Sequence, residues 1–303
     1  MPQALVAFMI LFLSAAMLRA FNVLNRSHAE RLASLVFSFS LPATILVSLD
    51  RIHFTHSAWK LPVAALLVTL PMVLLTWQLA RLLRLPRSTQ GGLLLGTGCI
   101  NSIYFAYPVV LATLGDAGLV QAVLFDLGQT TLTLTLLYAL ALWHGTASSP
   151  SGTAFRRFLA APPFWALSGI LALKLLGLHL PSWLHDLLLP LHFTTTPLAS
   201  LVLGLSISLS GQGKFTLAVL GVVLRMGGGI LLGFVAAELL RLAGVERAVV
   251  ILVAGMPSAV TAVIFAAEAG LDEELVASIV ALSVATGVAL LPSLPHFVTW
   301  LAG

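Results

Sequence analysis

Apolar stretches of about 20 residues, each long enough to cross about 30 Å of hydrocarbon, follow one another along nearly the whole chain, and this constrains the fold more than any other feature. Ten spans are read, at residues 4–20, 31–49, 60–82, 91–114, 118–142, 160–178, 182–208, 215–240, 247–268 and 273–300. Inside a bilayer each backbone N–H and C=O must be satisfied within the protein, so spans of this length are helices and the fold class is an all-α membrane protein. With 59% of its residues hydrophobic and 9% charged, the chain is excluded from the soluble globular class, where about 25% are charged. The first span has no Lys or Arg before it and is followed by Asn22, Asn25 and Arg26, so it reads as a retained helix. The single Cys99 rules out an intrachain disulfide.

Two of these spans carry polar interruptions. The first is Gly96-Thr97-Gly98-Cys99-Ile100-Asn101-Ser102, followed by Tyr107-Pro108; the second is Gly255-Met256-Pro257-Ser258-Ala259-Val260-Thr261. Proline lacks an N–H and clashes with the preceding turn, so Pro108 and Pro257 each oppose a continuous helical ladder. A broken helix survives in lipid only where protein or an aqueous cavity surrounds the break, and such breaks usually hold a substrate. Pro42 and Pro197 read equally well as kinks.

The interruptions recur at a fixed offset. Pro42 aligns with Pro197 at 155 residues, and Asp116, Leu119 and Val120 align with Asp272, Leu275 and Val276 at 156. The 156 offset also sets Asn101-Ser102 on Pro257-Ser258, in the fourth helix of each half. Residues 144–155 form a polar stretch near mid-chain and read as a cytoplasmic linker between a first repeat, 1–143, and a second, 156–303. Five helices per unit is odd, so the two units enter the membrane from opposite sides as inverted repeats with crossing helices 4 and 9.

Net charge +4 and pI near 9.7 need no nucleic-acid partner, because membrane proteins concentrate Lys and Arg in cytoplasmic loops. With the N-terminus outside, cytoplasmic turns hold nine basic residues (Arg19, Arg26, Arg31, Arg81, Arg84, Arg87, Arg156, Arg157 and Lys214) and external turns five (Arg51, Lys60, Lys174, Arg241 and Arg247). Both termini are therefore predicted to be non-cytoplasmic. Trp59, Trp165, Trp183 and Trp300 lie near span ends, as interfacial anchors do.

Several side chains in this pattern suit an anion. Asn101 offers two donors and an acceptor, for a carboxylate or as a helix cap. Ser102, Ser258 and Thr261 offer hydroxyls to substrate or back to their own helices. Asp126, Gln129, Thr130 and Thr133 fall at i, i+3, i+4 and i+7, one polar stripe on the fifth helix. A charge at midspan costs roughly 2.5 to 3.5 kcal/mol on insertion scales, so Asp126 is read either as a proton or cation site or as a structural hydrogen-bonding group. Glu268 is a gate residue or a helix-end charge; Arg225 attracts the anion, pairs with a carboxylate or snorkels to the interface. Gly92 to Gly96 and Gly229 to Gly233 have GxxxG spacing and read as internal packing more readily than as dimer contacts.

At these residues the chain resembles the auxin efflux carrier family, whose bacterial members include malonate and other carboxylate carriers, and more distantly the bile acid sodium symporters. The resemblance rests on Asn101 through Tyr107-Pro108, on Phe125-Asp126-Leu127-Gly128-Gln129, and on Met256-Pro257-Ser258-Ala259-Val260-Thr261 continuing to Glu268-Ala269-Gly270-Leu271-Asp272. It implies ten helices in a scaffold bundle and a transport bundle, an organic acid anion beside the crossover, and a homodimer in a bacterial inner membrane. Tyr107, Pro108 and Pro257 join the expected substrate site; Asp126, Gln129, Thr130 and Glu268 are the expected coupling positions. Gln129 and Thr261 stand where relatives usually carry Asn.

The expected function is a secondary carrier of a small organic anion that alternates access by an elevator motion. A sodium-coupled symporter and an anion channel are the other readings. No cofactor is expected beyond a coupling proton or sodium ion. An enzyme is not expected: the chain has no HExxH and no GxSxG, and Ser210-Gly211-Gln212-Gly213-Lys214 fails the P-loop because Ser208 and Phe215 occupy its ends. His185 and His192 lack a third ligand at zinc spacing.

Overall fold

The computed structural model describes residues 3–50, 58–146, 160, 162–206 and 214–302. Residues 147–155 of the expected linker, Arg51, Arg156, Arg157 and residues 208–213 of the rejected P-loop lie outside the described residues, as do the side chains of Arg26 and Trp300.

The described residues are helical throughout, apart from turns and one isolated bridge. The helices are α1 (Gln3–Ala20), α2 (Ser27–Asp50), α3 (Lys60–Leu82), α4 (Arg87–Gly98), α5 (102–114), α6 (116–144), α7 (Pro162–Leu175), α8 (Ser182–Ser206), α9 (Phe215–Leu239), α10 (Gly244–Ala254), α11 (Thr261–Ala269) and α12 (Glu273–Val298). Among the described residues, seven helical stretches are long and apolar enough to cross a membrane, one of them running from Ser102 to His144. At 43 residues that stretch is about twice the length a bilayer needs. Gly115 divides it, with φ 65° and ψ −164°, a conformation open to glycine and costly for a residue with a Cβ.

Apolar side chains face outward along these helices: Leu175 is 89% exposed, and Leu82, Phe193 and Leu231 are also exposed. That surface suits lipid, and the protein is a multi-pass membrane protein. Because lipid is as apolar as Leu, helices adhere there through close packing and inter-helix hydrogen bonds. The helices sort accordingly into two bundles, α1, α2, α7 and α8 in one and α3–α6 with α9–α12 in the other. In the first, Ser40 meets Thr194 at 2.8 Å and Thr44 meets Thr195 at 2.7 Å. Pro42 and Pro197 flank these contacts and lie inside continuous helices, Pro42 just after a widened π turn at Val36–Ser40. Both GxxxG pairs pack internally: Gly92 and Gly96 face Val276 and Ile279 of α12, while Gly229 and Gly233 face α10.

Hydrogen bonds gather the turns into two sets. Lys60 Nζ donates to Leu240 O at 2.9 Å, Leu180 N to Asp50 Oδ1 at 2.9 Å, and Ser48 Oγ to Asp116 Oδ1 at 3.0 Å. Thr89 Oγ1 donates to Asp272 Oδ2 at 2.8 Å, Lys214 pairs with Asp272, Arg87 donates to Trp143 O at 2.9 Å and Thr146 N to Ala269 O at 3.0 Å. Helix α3 runs from one set to the other, and its 23 residues hold them about 34 Å apart.

Candidate functional site

Helix α4 stops at Gly98 because Cys99 turns extended (φ −87°, ψ 117°) and Asn101 also leaves the helical region (φ −81°, ψ 74°). Helix α10 stops at Ala254, before Gly255 and Pro257. The two gaps meet. Ile100 lies antiparallel to Ser258, Asn101 N donates to Pro257 O at 2.9 Å, and Ala259 N donates to Cys99 O at 3.0 Å. Each break thus satisfies backbone groups that the other frees, which makes interruption tolerable away from water.

Pro257 sits in its gap as expected, but Pro108 does not make the other one. The first break is the three residues Cys99–Asn101, and Pro108 lies inside the helix that follows. A π turn at Ser102–Ala106 precedes it, with Tyr107 N bonded to Ser102 O, and this local rewidening accommodates the missing N–H.

The carbonyl ends of the first arms point at two side chains from neighbouring helices. Gln129 Nε2 donates to Gly98 O at 2.8 Å and to Thr133 Oγ1 at 3.3 Å, while its Oε1 accepts from Thr69. Arg225, 0% exposed, donates through Nη1 to Thr97 O at 2.6 Å and through Nη2 to Ala254 O. One guanidinium therefore joins both broken helices.

The second arms, α5 and α11, begin at Ser102 and Thr261 beside a cavity of about 360 Å³. Its crossover wall also includes Asn101, Tyr107 and Cys99, and its far wall comes from α2 and α7, through Phe37, Leu41 and Phe164. The cavity thus lies between the two bundles. Asp126, Gln129, Thr130 and Thr133 line it, so the i, i+3, i+4, i+7 stripe faces inward as one surface. The Asp126 carboxylate accepts from Ser102 Oγ at 2.5 Å, Tyr107 OH at 3.0 Å and Thr130 Oγ1 at 3.3 Å.

Residues 3–152 match the membrane transport protein family. An uncharacterized transporter of Methanocaldococcus jannaschii is 27% identical over 281 residues, covering 89% of this chain and 90% of the relative. An uncharacterized transporter of Methanothermobacter thermautotrophicus is 28% identical over 294 residues, 96% of each chain. Along its first half the chain is thus similar to the membrane transport protein family, and both relatives are named transporters. This is the kinship to which the motifs around residues 101–108, 125–129 and 256–272 pointed.

For a transporter, the distribution of the singled-out residues is informative. Asn101, Ser102, Tyr107, Asp126, Gln129, Thr130 and Thr261 line the cavity. Asn101 makes no side-chain cap to the helix after it; its Nδ2 lies 3.5 Å from Ser258 O across the crossover. Ser258 is fully buried off the cavity, its N–H bonded to Ser283 Oγ at 3.0 Å, and Pro257 and Pro108 also stand back from it. Glu268 lies further along α11 and accepts from Tyr138 OH at 3.3 Å. Arg225 stands behind the crossover, on backbone carbonyls rather than in the cavity. The apolar wall from α2 and α7 carried no motif, and no sequence signal separated Phe37 or Phe164 from lipid-facing residues.

Among the described residues, the lining includes one carboxylate, Asp126, and no Lys, Arg or His.

Proposed function

We propose that this transporter is a secondary carrier that moves a small, partly apolar organic acid anion by alternating access, with the second bundle sliding as an elevator against the first. The observation that carries the reading is the pairing of residues 99–101 with 257–259 beside a cavity between the bundles. Helix N-terminal amides carry partial positive charge, and α5 and α11 both start at the cavity. Their carbonyl-ended counterparts are occupied, Gly98 O by Gln129 and Thr97 O and Ala254 O by Arg225, which stands off the cavity. The balance of dipoles presented to the cavity is thus positive.

Ten crossings in two inverted five-helix repeats account for the sorting of the turns. The seven long stretches gain three crossings when Gly115 divides one of them, when α10 and α11 count as the two arms of one broken span, and when the shorter α7 is included, with α4 and α5 forming the other broken span. The turns near residues 50–60, 115, 175–180 and 240 then share one face, and those near 82–89, 143–146, 214 and 270 the other, a sorting that the hydrogen bonds between these turns support. On the basic-residue bias we read the second set as cytoplasmic and both termini as outside.

A carboxylate entering beside Asp126 brings two like charges into one site, and a single proton shared between them removes the repulsion. The carrier is accordingly read as proton-coupled at Asp126. The test is a thermal-shift screen of purified protein against mono- and dicarboxylates, since a ligand that binds the folded state raises Tm by mass action. A carboxylate-specific rise that disappears in Asn101→Ala supports the reading; no response to any organic acid counts against it.

A further inference from the structure

Among the described residues Arg225 is the largest fully buried side chain, and no carboxylate pairs with it. Its charge is met instead by two helix ends. An α-helix carries roughly −0.5 charge at its carbonyl end, so α4 and α10 converging tail to tail concentrate about one negative charge at Thr97 and Ala254. Convergent half-helix carbonyls of this kind are where transporters hold a coupling cation. Here the planar fork of the guanidinium puts one nitrogen on each carbonyl. On the α9 side the fork is packed tightly: a Cβ on the adjacent Gly229 would lie 2.0 Å from Ala254 O and 2.7 Å from Arg225 Nη2.

We propose that Arg225 is a built-in cation that fills the carbonyl side of the crossover, so that the transporter works without sodium. This deepens the reading given above, on which it rests for the meaning of the crossover. Arg225 is a positioning residue: it touches no part of the cavity, yet it fixes which helix ends face the substrate. A metal ion at that place would bind and leave with each cycle. The guanidinium stays, and the crossover keeps its charge balance through every state.

The experiment is a thermal-unfolding comparison of the full-length protein in sodium, potassium and choline chloride at equal ionic strength, with no organic acid present. The wild type is expected to give one Tm in all three salts. Arg225→Ala is expected to lose roughly 5–10 °C and to recover part of it in sodium alone, because the vacated carbonyls then take the metal. Arg225→Lys, which keeps the charge, is expected to stay indifferent to the salt, and it decides the matter together with the wild type if Arg225→Ala yields no folded protein. A sodium-specific rise in the wild type or in Arg225→Lys overturns the proposal, as does a folded Arg225→Ala that is indifferent to sodium. A failed carboxylate screen sinks the anion site and leaves these salt comparisons intact, so the two failures are distinguishable.

Discussion

Gly229→Ala is the sharpest probe of how the crossover is held. The added methyl would lie 2.0 Å from the carbonyl oxygen of Ala254, a backbone atom that cannot rotate away, whereas real side chains keep at least 3.0 Å. Helices α9 and α10 must therefore part by about 1 Å, and overpacking of a dense interior costs about 1–3 kcal/mol. The displaced oxygen is also the one to which Arg225 donates, and loss of a hydrogen bond to a charged group adds about 1.5–3 kcal/mol. A loss near 4 kcal/mol lowers Tm by roughly 10 °C in a protein of this size. Gly227→Ala, two residues earlier on the same helix, is the control: a Cβ there meets nothing within 4 Å, and its effect stays within about 1 kcal/mol. Both variants are compared by thermal unfolding in the same detergent. Equal Tm values for the two would refute the argument that α9 and α10 meet through Gly229 and Arg225.

Asp126→Asn removes the carboxylate on which Ser102, Tyr107 and Thr130 converge, so organic acid uptake into proteoliposomes should lose its response to an inward proton gradient while exchange of the same acid persists; uptake that still follows the gradient would assign the proton elsewhere. Asp272 sits in a turn outside the spans. Burial works against its charged form, but hydrogen bonds from Lys214, Thr89 and the Leu275 N–H, with the Lys214 charge, outweigh it and hold the carboxyl below its ordinary value. A depressed carboxyl stabilises the fold fully above its unfolded value of about 3.9 and progressively less as pH falls through the lower folded value. Asp272→Asn should therefore melt below the wild type at pH 7, with the gap closing in acid; a gap unchanged down to strongly acidic pH would contradict this.

Much of this site was legible from spacing. The polar stripe from Asp126 to Thr133 was readable as one face because helical periodicity puts i, i+3, i+4 and i+7 together, and the structure turns that face into the cavity. The second break was readable from Gly255 and Pro257. The first was read as Gly96 to Ser102 with Tyr107-Pro108 after it, and the break is the shorter Cys99–Asn101 within that run, where no proline acts and pairing with the other chain segment holds the backbone out of the helix. Arg225 stood out as a charge within a span, but a sequence shows no carbonyl as lacking a partner, so its bonds to Thr97 and Ala254 were beyond reach. The same holds for Phe37 and Phe164, whose apolar side chains do the same thing in a sequence whether they face lipid or a cavity.

The central claim is that substrate crosses when one bundle slides past the other. Ser48 on α2 and Asp116 at the start of α6 touch across that boundary at 3.0 Å, whereas Thr76 and Thr97 touch at 2.9 Å inside one bundle. With Cys99 replaced by Ala, paired cysteines at 48 and 116, or at 76 and 97, can be joined by a short thiol cross-linker and tested for organic acid flux in proteoliposomes. The account predicts that the link across the bundles stops flux reversibly and the link within one bundle leaves it running. Flux that continues with residues 48 and 116 joined would contradict it.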